Sequence, residues 1–341
     1  MAPKVVTFGE IMLRLSPPGY HRFSQAASFD AVYGGGEANV AASLANYGCE
    51  AYFVTKVPPH EVGQCAINSL RALGIHTEHI HRGGDRLGIY FCEAGASQRP
   101  SKVVYDRANS SISQVEPGEF DWEDILSGAE WFHFTGITPA LGDGPAAVTM
   151  EAVKVAKKLG VKVSADLNYR KKLWTPEKAN AVMSGLMEYV DVVVGNEEDA
   201  EKVFGVKAEG SDIVSGQISR EGYREVAREL VRRFGFEKVA ITLRESISAS
   251  DNNWSGMLYD GERFYESRRY AVHIVDRVGG GDSFAGGLIY ALLENADGQW
   301  AVEFAAAASC LKHSIYGDFN LVNASDVHAL AAGDASGRVQ R

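Results

Sequence analysis

The sequence predicts an α/β protein: a central, mostly parallel sheet flanked by helices, with a small antiparallel β-sheet set over it as a lid. Three observations predict it. From about residue 130 onward, short apolar runs alternate with helix-length stretches, which is the pattern of βαβ units. Two helical stretches open on glycine runs, one at Gly34, Gly35 and Gly36 and one at Gly279, Gly280 and Gly281. Two other stretches, 11–33 and 84–107, carry β-rich runs bounded by turn residues and few helical signals.

The elements follow in chain order. Residues 5–8 form a short apolar strand. Residues 38–47 are alanine-rich and helical, with Gly48 placed for a C-terminal cap. Residues 51–55 form the next strand. In the lid, 88–92 and 102–105 read as strands, and glycine clusters at 83–85 and 95–97 read as turns. Strands at 131–135 and 161–165 flank a helix at 146–159. A helix at 177–189 precedes a strand at 191–194, and an arginine-rich helix at 221–234 precedes a strand at 238–243. Residues 284–293 form an apolar helix. The polar stretch 206–219 reads as a surface loop, and 333–341 as a frayed end. The domain expectation is one unit over 1–325, its lid formed by about 11–33 and 84–107. Residues 326–341 then hold the end of a C-terminal helix and the tail.

Composition narrows the function. The 341 residues carry a formal net charge of −10. That argues against nucleic acid as a partner and against a polybasic membrane anchor. No apolar run approaches the ~18 residues of a membrane span. The start, Met1-Ala2-Pro3-Lys4, leads directly into a strand without the apolar run of a signal peptide, so the expected location is cytoplasmic. The four cysteines form no CxxC pair and the histidines show no ligand spacing, which leaves no zinc or redox motif.

The sharpest motif runs Asp276-Arg277-Val278-Gly279-Gly280-Gly281-Asp282 into the helix at 284–293. Glycines let backbone N–H groups converge, and a helix N-terminus adds partial positive charge, so the pair suits a phosphate. Asp282 would repel that anion; accepting a proton from an attacking hydroxyl is a reason for it to be there. A plain helix cap is the alternative. The loop is neither GxxxxGK[ST] nor a dinucleotide fingerprint, whose glycines belong after the first strand. At the other glycine run, Gly34 and Gly35 permit close ligand approach and Asn39 offers both a donor and an acceptor to a polyol. A flexible connection into the helix is the alternative.

Asn168 and Arg170 follow a strand, where ligands bind in parallel sheets. Arg170 offers a planar fork to a carboxylate or phosphate. Asn196 and Asp199 also follow a strand and could hold Mg²⁺ through water, or simply be polar residues of a helix's first turn. Tyr90, Tyr105 and Arg107 lie in the lid and suit an anionic substrate; a solvated arginine and two sheet tyrosines are the alternative.

Together these motifs resemble the ribokinase-like (PfkB) family of carbohydrate kinases over residues 9–320. The resemblance rests on the glycine run through Asn39, the Asp276 to Asp282 signature, Asn196 to Asp199, and the strand leading to Thr242 and Arg244. Arg277, Val278 and Gly280 depart from the usual signature, and Asp199 replaces a glutamate. Within the family the chain is most similar to kinases of 2-keto-3-deoxygluconate, on Tyr105-Asp106-Arg107-Ala108, Asp166-Leu167-Asn168-Tyr169-Arg170 and Gly317-Asp318-Phe319-Asn320.

The resemblance implies ATP-dependent phosphorylation of 2-keto-3-deoxygluconate to its 6-phosphate. Asp282 would act as base beside an anion hole of Gly279, Gly280 and Gly281. The resemblance implies that Gly34, Tyr90, Tyr105, Arg107, Arg170 and Asp318 hold the sugar acid, together with Gly35 and Asn39. Asn168, Asn196, Thr242, Arg244, Gly279 and Gly281 would meet the nucleotide. The implied cofactors are ATP and Mg²⁺, with a monovalent cation as a third candidate. Apart from the resemblance, a lid strand edge is a natural pairing surface, so the expected assembly is a homo-oligomer through the lid. Two arginines suit a carboxylated sugar, because a neutral one would leave Arg107 and Arg170 without an ionic partner. Other readings are a fructokinase, ribokinase or nucleoside kinase, or a non-catalytic sugar-binding protein on the same fold.

Overall fold

In the computed structural model, which describes residues 2–207 and 220–334, neighbouring side chains of one strand join different apolar clusters. Val5 packs in one cluster and Val6 in the other; Trp131 and Phe132 divide the same way, as do Val192 and Val193. Successive side chains of a strand point to opposite faces, so strands apolar at every position must be covered on both.

The chain enters the sheet at β1 (Lys4–Phe8) and leaves it for β2 (Met12–Ser16) and β3 (Asp30–Gly34). It returns through α1 (Gly36–Asn46) to β4 (Glu50–Val57), then through α2 (Glu61–Arg71) to the short β5 (Ile80–Arg82). β6 (Gly88–Glu93) and β7 (Lys102–Asp106) leave the sheet again. A short α3 (Trp122–Leu126) precedes β8 (Trp131–Thr135), and α4 (Ile137–Ala140) and α5 (Asp143–Leu159) lead to β9 (Lys162–Asp166). α6 (Pro176–Met187), β10 (Val192–Gly195), α7 (Glu197–Phe204), α8 (Arg220–Phe234) and β11 (Lys238–Ser246) continue the alternation. Three antiparallel strands follow: β12 (Asp251–Tyr259), β13 (Phe264–Glu266) and β14 (Tyr270–His273). The helices α9 (Gly280–Leu293), α10 (Gly298–Lys312) and α11 (Ala324–Ala332) come last.

The large sheet has the order β13-β12-β11-β10-β9-β8-β1-β4-β5, with β14 beside β12. It is parallel from β5 to β11 and antiparallel beyond. One face is covered by α1, α2, α9, α10 and α11, the other by α3, α5, α6, α7 and α8. The antiparallel edge was not legible in the sequence. β12 begins Asp251-Asn252-Asn253 and takes its strand character from pairing with β11 along eight residue pairs. Among the described residues, no helix is long and apolar enough to cross a membrane.

The second sheet has the order β3-β2-β6-β7. Its two outer pairs are antiparallel, whereas the central pair β2–β6 is parallel. β2 and β6 belong to separate excursions of the chain, so no hairpin forces them to run in opposite directions. Of the expected surface loop, 208–219 lie outside the described residues, as do 335–341 of the expected tail.

β1 has β4 on one side and β8 on the other, so the connections diverge there. Such a switch point opens a crevice at the carboxyl ends of the strands.

Candidate active site

A cavity of about 1270 Å³ fills that crevice beneath the small sheet. Gly35, Asn39, Tyr90, Tyr105, Arg107, Asn168, Arg170, Asn196, Asp199, Thr242, Arg244, Gly279, Gly280, Gly281, Asp282 and Asp318 all line it. Of the sequence-predicted residues only Gly34 does not. It sits behind Asp318, whose Oδ2 would be 2.2 Å from a Cβ at that position.

The start of α9 forms one end of the cavity. Gly279 takes φ 84, the left-handed region, and a Cβ there would approach the Asp318 carbonyl oxygen to 2.1 Å. Only glycine fits. Gly280 and Gly281 belong to the first turn of the helix, four residues earlier than the sequence suggested. The helix has no side-chain cap, and Gly280 N donates to the Arg277 carbonyl at 3.3 Å, so an anion bound here would draw on the other N–H groups of the first turn. Asp282 is the third helical residue, which sets aside its reading as the cap. Its Oδ2 accepts a hydrogen bond from Asn39 Nδ2 at 2.7 Å. Burial pushes the Asp282 carboxyl up to about 6, against the pull of Asn39 and of Arg170.

A second wall follows β9 and β10. Asn168 takes φ 38, a left-handed conformation that asparagine tolerates. The turn lets Asn168 N donate to Asp166 Oδ1 at 3.1 Å and Tyr169 N donate to Asp199 Oδ1 at 2.8 Å. Asn196 and Asp199 form the capping box of α7: Asn196 Oδ1 accepts from Asp199 N at 3.0 Å, and Asp199 Oδ2 from Asn196 N at 3.4 Å. The alternative reading of these two as first-turn residues therefore describes their contacts. Burial pushes Asp199 up to about 6. Burial, then Asp199 and Asp282, push Asp166 well above the usual carboxylate range. Arg170 is the cation that opposes this in all three acids.

Among the described residues, no three His, Cys, Asp or Glu side chains form a metal cluster. The crowding of Asp166 and Asp199 nonetheless suits a hard divalent cation that keeps most of its waters. Asn196 Oδ1 is committed to its cap, and each Asp199 oxygen already accepts one backbone N–H, so Asp199 would meet the cation through its remaining lone pairs.

Across the cavity stand Arg244 and Arg277. Burial, then the neighbouring Arg244, lowers Arg277, and an anion between them would relieve the repulsion. Arg277 was not singled out from the sequence.

The lid supplies the remaining wall. Tyr90 Oη donates to Asp318 Oδ2, and Arg14 Nη1 donates to Asp318 Oδ1 at 3.0 Å while lying 2.8 Å from Asp276 Oδ2. Arg14 is 2% exposed. It is the one charge in the otherwise apolar run Met12-Leu13-Arg14-Leu15, a signal that could have found it. Arg107 pairs with buried Glu10, which also accepts from Ser110 Oγ at 2.7 Å. The expectation that a neutral sugar leaves Arg107 without an ionic partner is therefore wrong: the protein provides that partner. Glu37, also unassigned from the sequence, is buried in α1. Its Oε1 accepts from Thr135 N at 3.0 Å, Thr135 Oγ1 at 2.8 Å and Thr138 Oγ1 at 2.6 Å. Burial pushes it up to about 7.

Residues 2–320 match the profile of the pfkB family carbohydrate kinases. The chain is 32% identical to a 2-dehydro-3-deoxygalactonokinase of Haloferax volcanii, over 98% of this chain and 99% of that one. It is 28% identical to a 2-dehydro-3-deoxygluconokinase of Thermoproteus tenax, over 92% and 89%. The crystal structure of a 2-dehydro-3-deoxygluconokinase from Thermotoga maritima superposes with a TM-score of 0.94 at 57% identity, covering 97% of this chain and all of that one. The ribokinase-like architecture and the glycine-opened α9 agree with these matches along nearly the whole chain, which belongs to the pfkB family of carbohydrate kinases.

Proposed function

We propose that this carbohydrate kinase transfers the γ-phosphoryl group of ATP to the terminal hydroxyl of 2-keto-3-deoxygluconate, giving the 6-phosphate. The observation that carries the proposal is Asp282, a buried carboxyl in the first turn of the glycine-opened α9, held by Asn39 and lining one cavity with Arg170. The hydroxyl oxygen attacks the γ-phosphorus, the bond to the β–γ bridging oxygen breaks, and ADP leaves. Asp282 takes the hydroxyl proton, and the N–H groups of the turn from Gly279 to Gly281 meet the charge on the phosphoryl oxygens, Gly280 less fully because its N–H also donates to the Arg277 carbonyl. Arg244 and Arg277, with Asn168, Asn196 and Thr242, form the nucleotide wall. Mg²⁺, when bound, neutralises phosphate charge, and Asp166 and Asp199 would hold it through water. The fit of Asn196 to the metal is poorer, since its side-chain oxygen caps α7.

Arg170 is the group we assign to the sugar carboxylate. Gly35, Asn39, Tyr90, Tyr105, Arg107 and Asp318 line the sugar end, with Gly34 behind them. The relatives named above, kinases of 2-dehydro-3-deoxy sugar acids, support the substrate class. The reading includes a cytoplasmic location and a homo-oligomer paired through the lid, where Val104 and Tyr105 of β7 are exposed. A monovalent cation is not part of it, because Lys312 holds backbone carbonyls beside the glycine turn.

The test is ADP release with ATP and Mg²⁺ on 2-keto-3-deoxygluconate, 2-keto-3-deoxygalactonate, fructose, ribose and adenosine at equal concentration. The first acid should be preferred. A preferred neutral sugar, the reading that the Arg107–Glu10 pair favours, would keep the kinase and discard the acid. No turnover on any of them would favour a binding protein.

A further inference from the structure

Behind the glycine turn lies a lysine that the reaction scheme does not use. Lys312, in the last turn of α10, is 0% exposed. Its Nζ donates to the carbonyl oxygen of Ile315 at 3.1 Å and lies 3.5 Å from that of Asp276. Its Cε lies 3.1 Å from where a Cβ of Gly279 would stand, so its stem packs directly under the turn. Burial lowers its pKa, and Arg14 adds to this; Asp276 and Asp318 oppose it and favour the charged form. An ammonium removed from water costs several kcal/mol unless its surroundings compensate.

The same end of α10 holds the turn at further points. Ser309 Oγ donates to the Gly280 carbonyl at 2.7 Å. The His313 carbonyl accepts from Val275 N at 2.8 Å and from Asp276 N at 3.2 Å. Asp276 is central to this arrangement: its Oδ1 accepts from Val278 N and its Oδ2 from Gly317 N, both at 3.1 Å. Arg14 meets the Asp276 carboxylate, and Lys312 brings a positive charge to the backbone carbonyl. Without Lys312, the Asp276 and Ile315 carbonyl oxygens both lose a charged donor.

We propose that Lys312 is a positioning residue for phosphoryl transfer. Its ammonium acts as a resident cation that ties the Asp276 and Ile315 carbonyls together, fixing the turn at 279–282 and making a monovalent metal ion unnecessary. The proposal rests on the reading of that turn as the phosphoryl site. It acts through geometry: a displacement of about 1 Å in such a site can cost about a hundredfold in rate.

The test compares the full-length chain with Lys312→Met and Lys312→Ala. ADP release is measured with ATP, Mg²⁺ and 2-keto-3-deoxygluconate in the chlorides of choline, sodium, potassium and ammonium. The unmodified enzyme should run at the same rate in all four salts. Lys312→Met should lose about thirtyfold or more in kcat while the sugar KM holds within about threefold. Lys312→Ala opens space beside the carbonyls, and ammonium or potassium, but not choline, should restore about fivefold or more of the lost kcat. An unmodified enzyme that depends on potassium overturns the proposal. So does a Lys312→Met enzyme with near-normal kcat, or a folded Lys312→Ala enzyme equally poor in every salt. If neither variant folds, the salt series on the unmodified enzyme decides alone. If the unmodified enzyme phosphorylates no sugar, the proposed function fails separately. ATP binding by calorimetry then decides for Lys312: unchanged affinity in Lys312→Met overturns its role, and a loss of about tenfold or more supports it.

Discussion

Asn39 Nδ2 donates to Asp282 Oδ2 across 2.7 Å, joining residues 243 apart in sequence. The first turns of α1 and α9, the two glycine-opened helices, meet at this bond. It favours the carboxylate while burial favours the acid, and the balance leaves Asp282 at about 6.

Asp282→Asn keeps the shape of the site and removes the proton acceptor. We expect kcat to fall by about a hundredfold or more with little change in sugar KM, read by steady-state ADP release. Near-normal turnover in a folded Asp282→Asn protein would end the assignment of the base.

The same carboxyl sets a pH limb. kcat/KM should fall as pH drops through about 6, because protonated Asp282 cannot accept a proton. Asn39→Ala removes a donor that favours the charged form. The carboxyl then titrates higher, and the acid limb moves to higher pH. A limb that stays in place in Asn39→Ala would show that another group controls it.

Arg107→Ala should act on stability as much as on catalysis. It strands Glu10, 2% exposed, without its cation, at a cost of about 3–5 kcal/mol in chemical denaturation. Adding Glu10→Gln should recover part of that loss, since no buried charge is then left unpaired. If the double variant is no more stable than the single one, the pair does not work in this way.

Glu37 makes stability pH-dependent. An unfolded glutamate titrates near 4.5 and Glu37 near 7. Between those values the folded chain binds more protons, so this group's contribution to stability declines as pH rises through the window, by up to about 3 kcal/mol. Glu37→Gln keeps an acceptor for the Thr135 and Thr138 donors and removes the titration. The difference in unfolding free energy between pH 5 and pH 8 should shrink; an unchanged difference would assign the titration elsewhere.

The regular βαβ half of the fold was legible because its signals are local. Val192-Val193-Val194 is apolar at every position, and α5 ends on Gly160 at φ 73, the left-handed cap. Much of the cavity wall was legible for the same reason: Asn168, Arg170 and Asn196 sit just after strand ends, where a parallel sheet puts its ligands. β12 was not legible. Its polar start, Asp251-Asn252-Asn253, carries no strand signal until β11 pairs with it.

The sequence by itself determined the parallel part of the sheet, the two glycine-opened helices, the family, and the place of Asp282 at the glycine-opened start of α9, because each follows from residue type at short spacing. Only the tertiary structure decided which charges are already paired. Arg107 with Glu10, Arg14 between Asp276 and Asp318, and Lys312 on the Asp276 and Ile315 carbonyls are contacts made largely between distant segments. A charged side chain looks the same in sequence whether it awaits a ligand or has a partner, and burial together with distance tells the two apart.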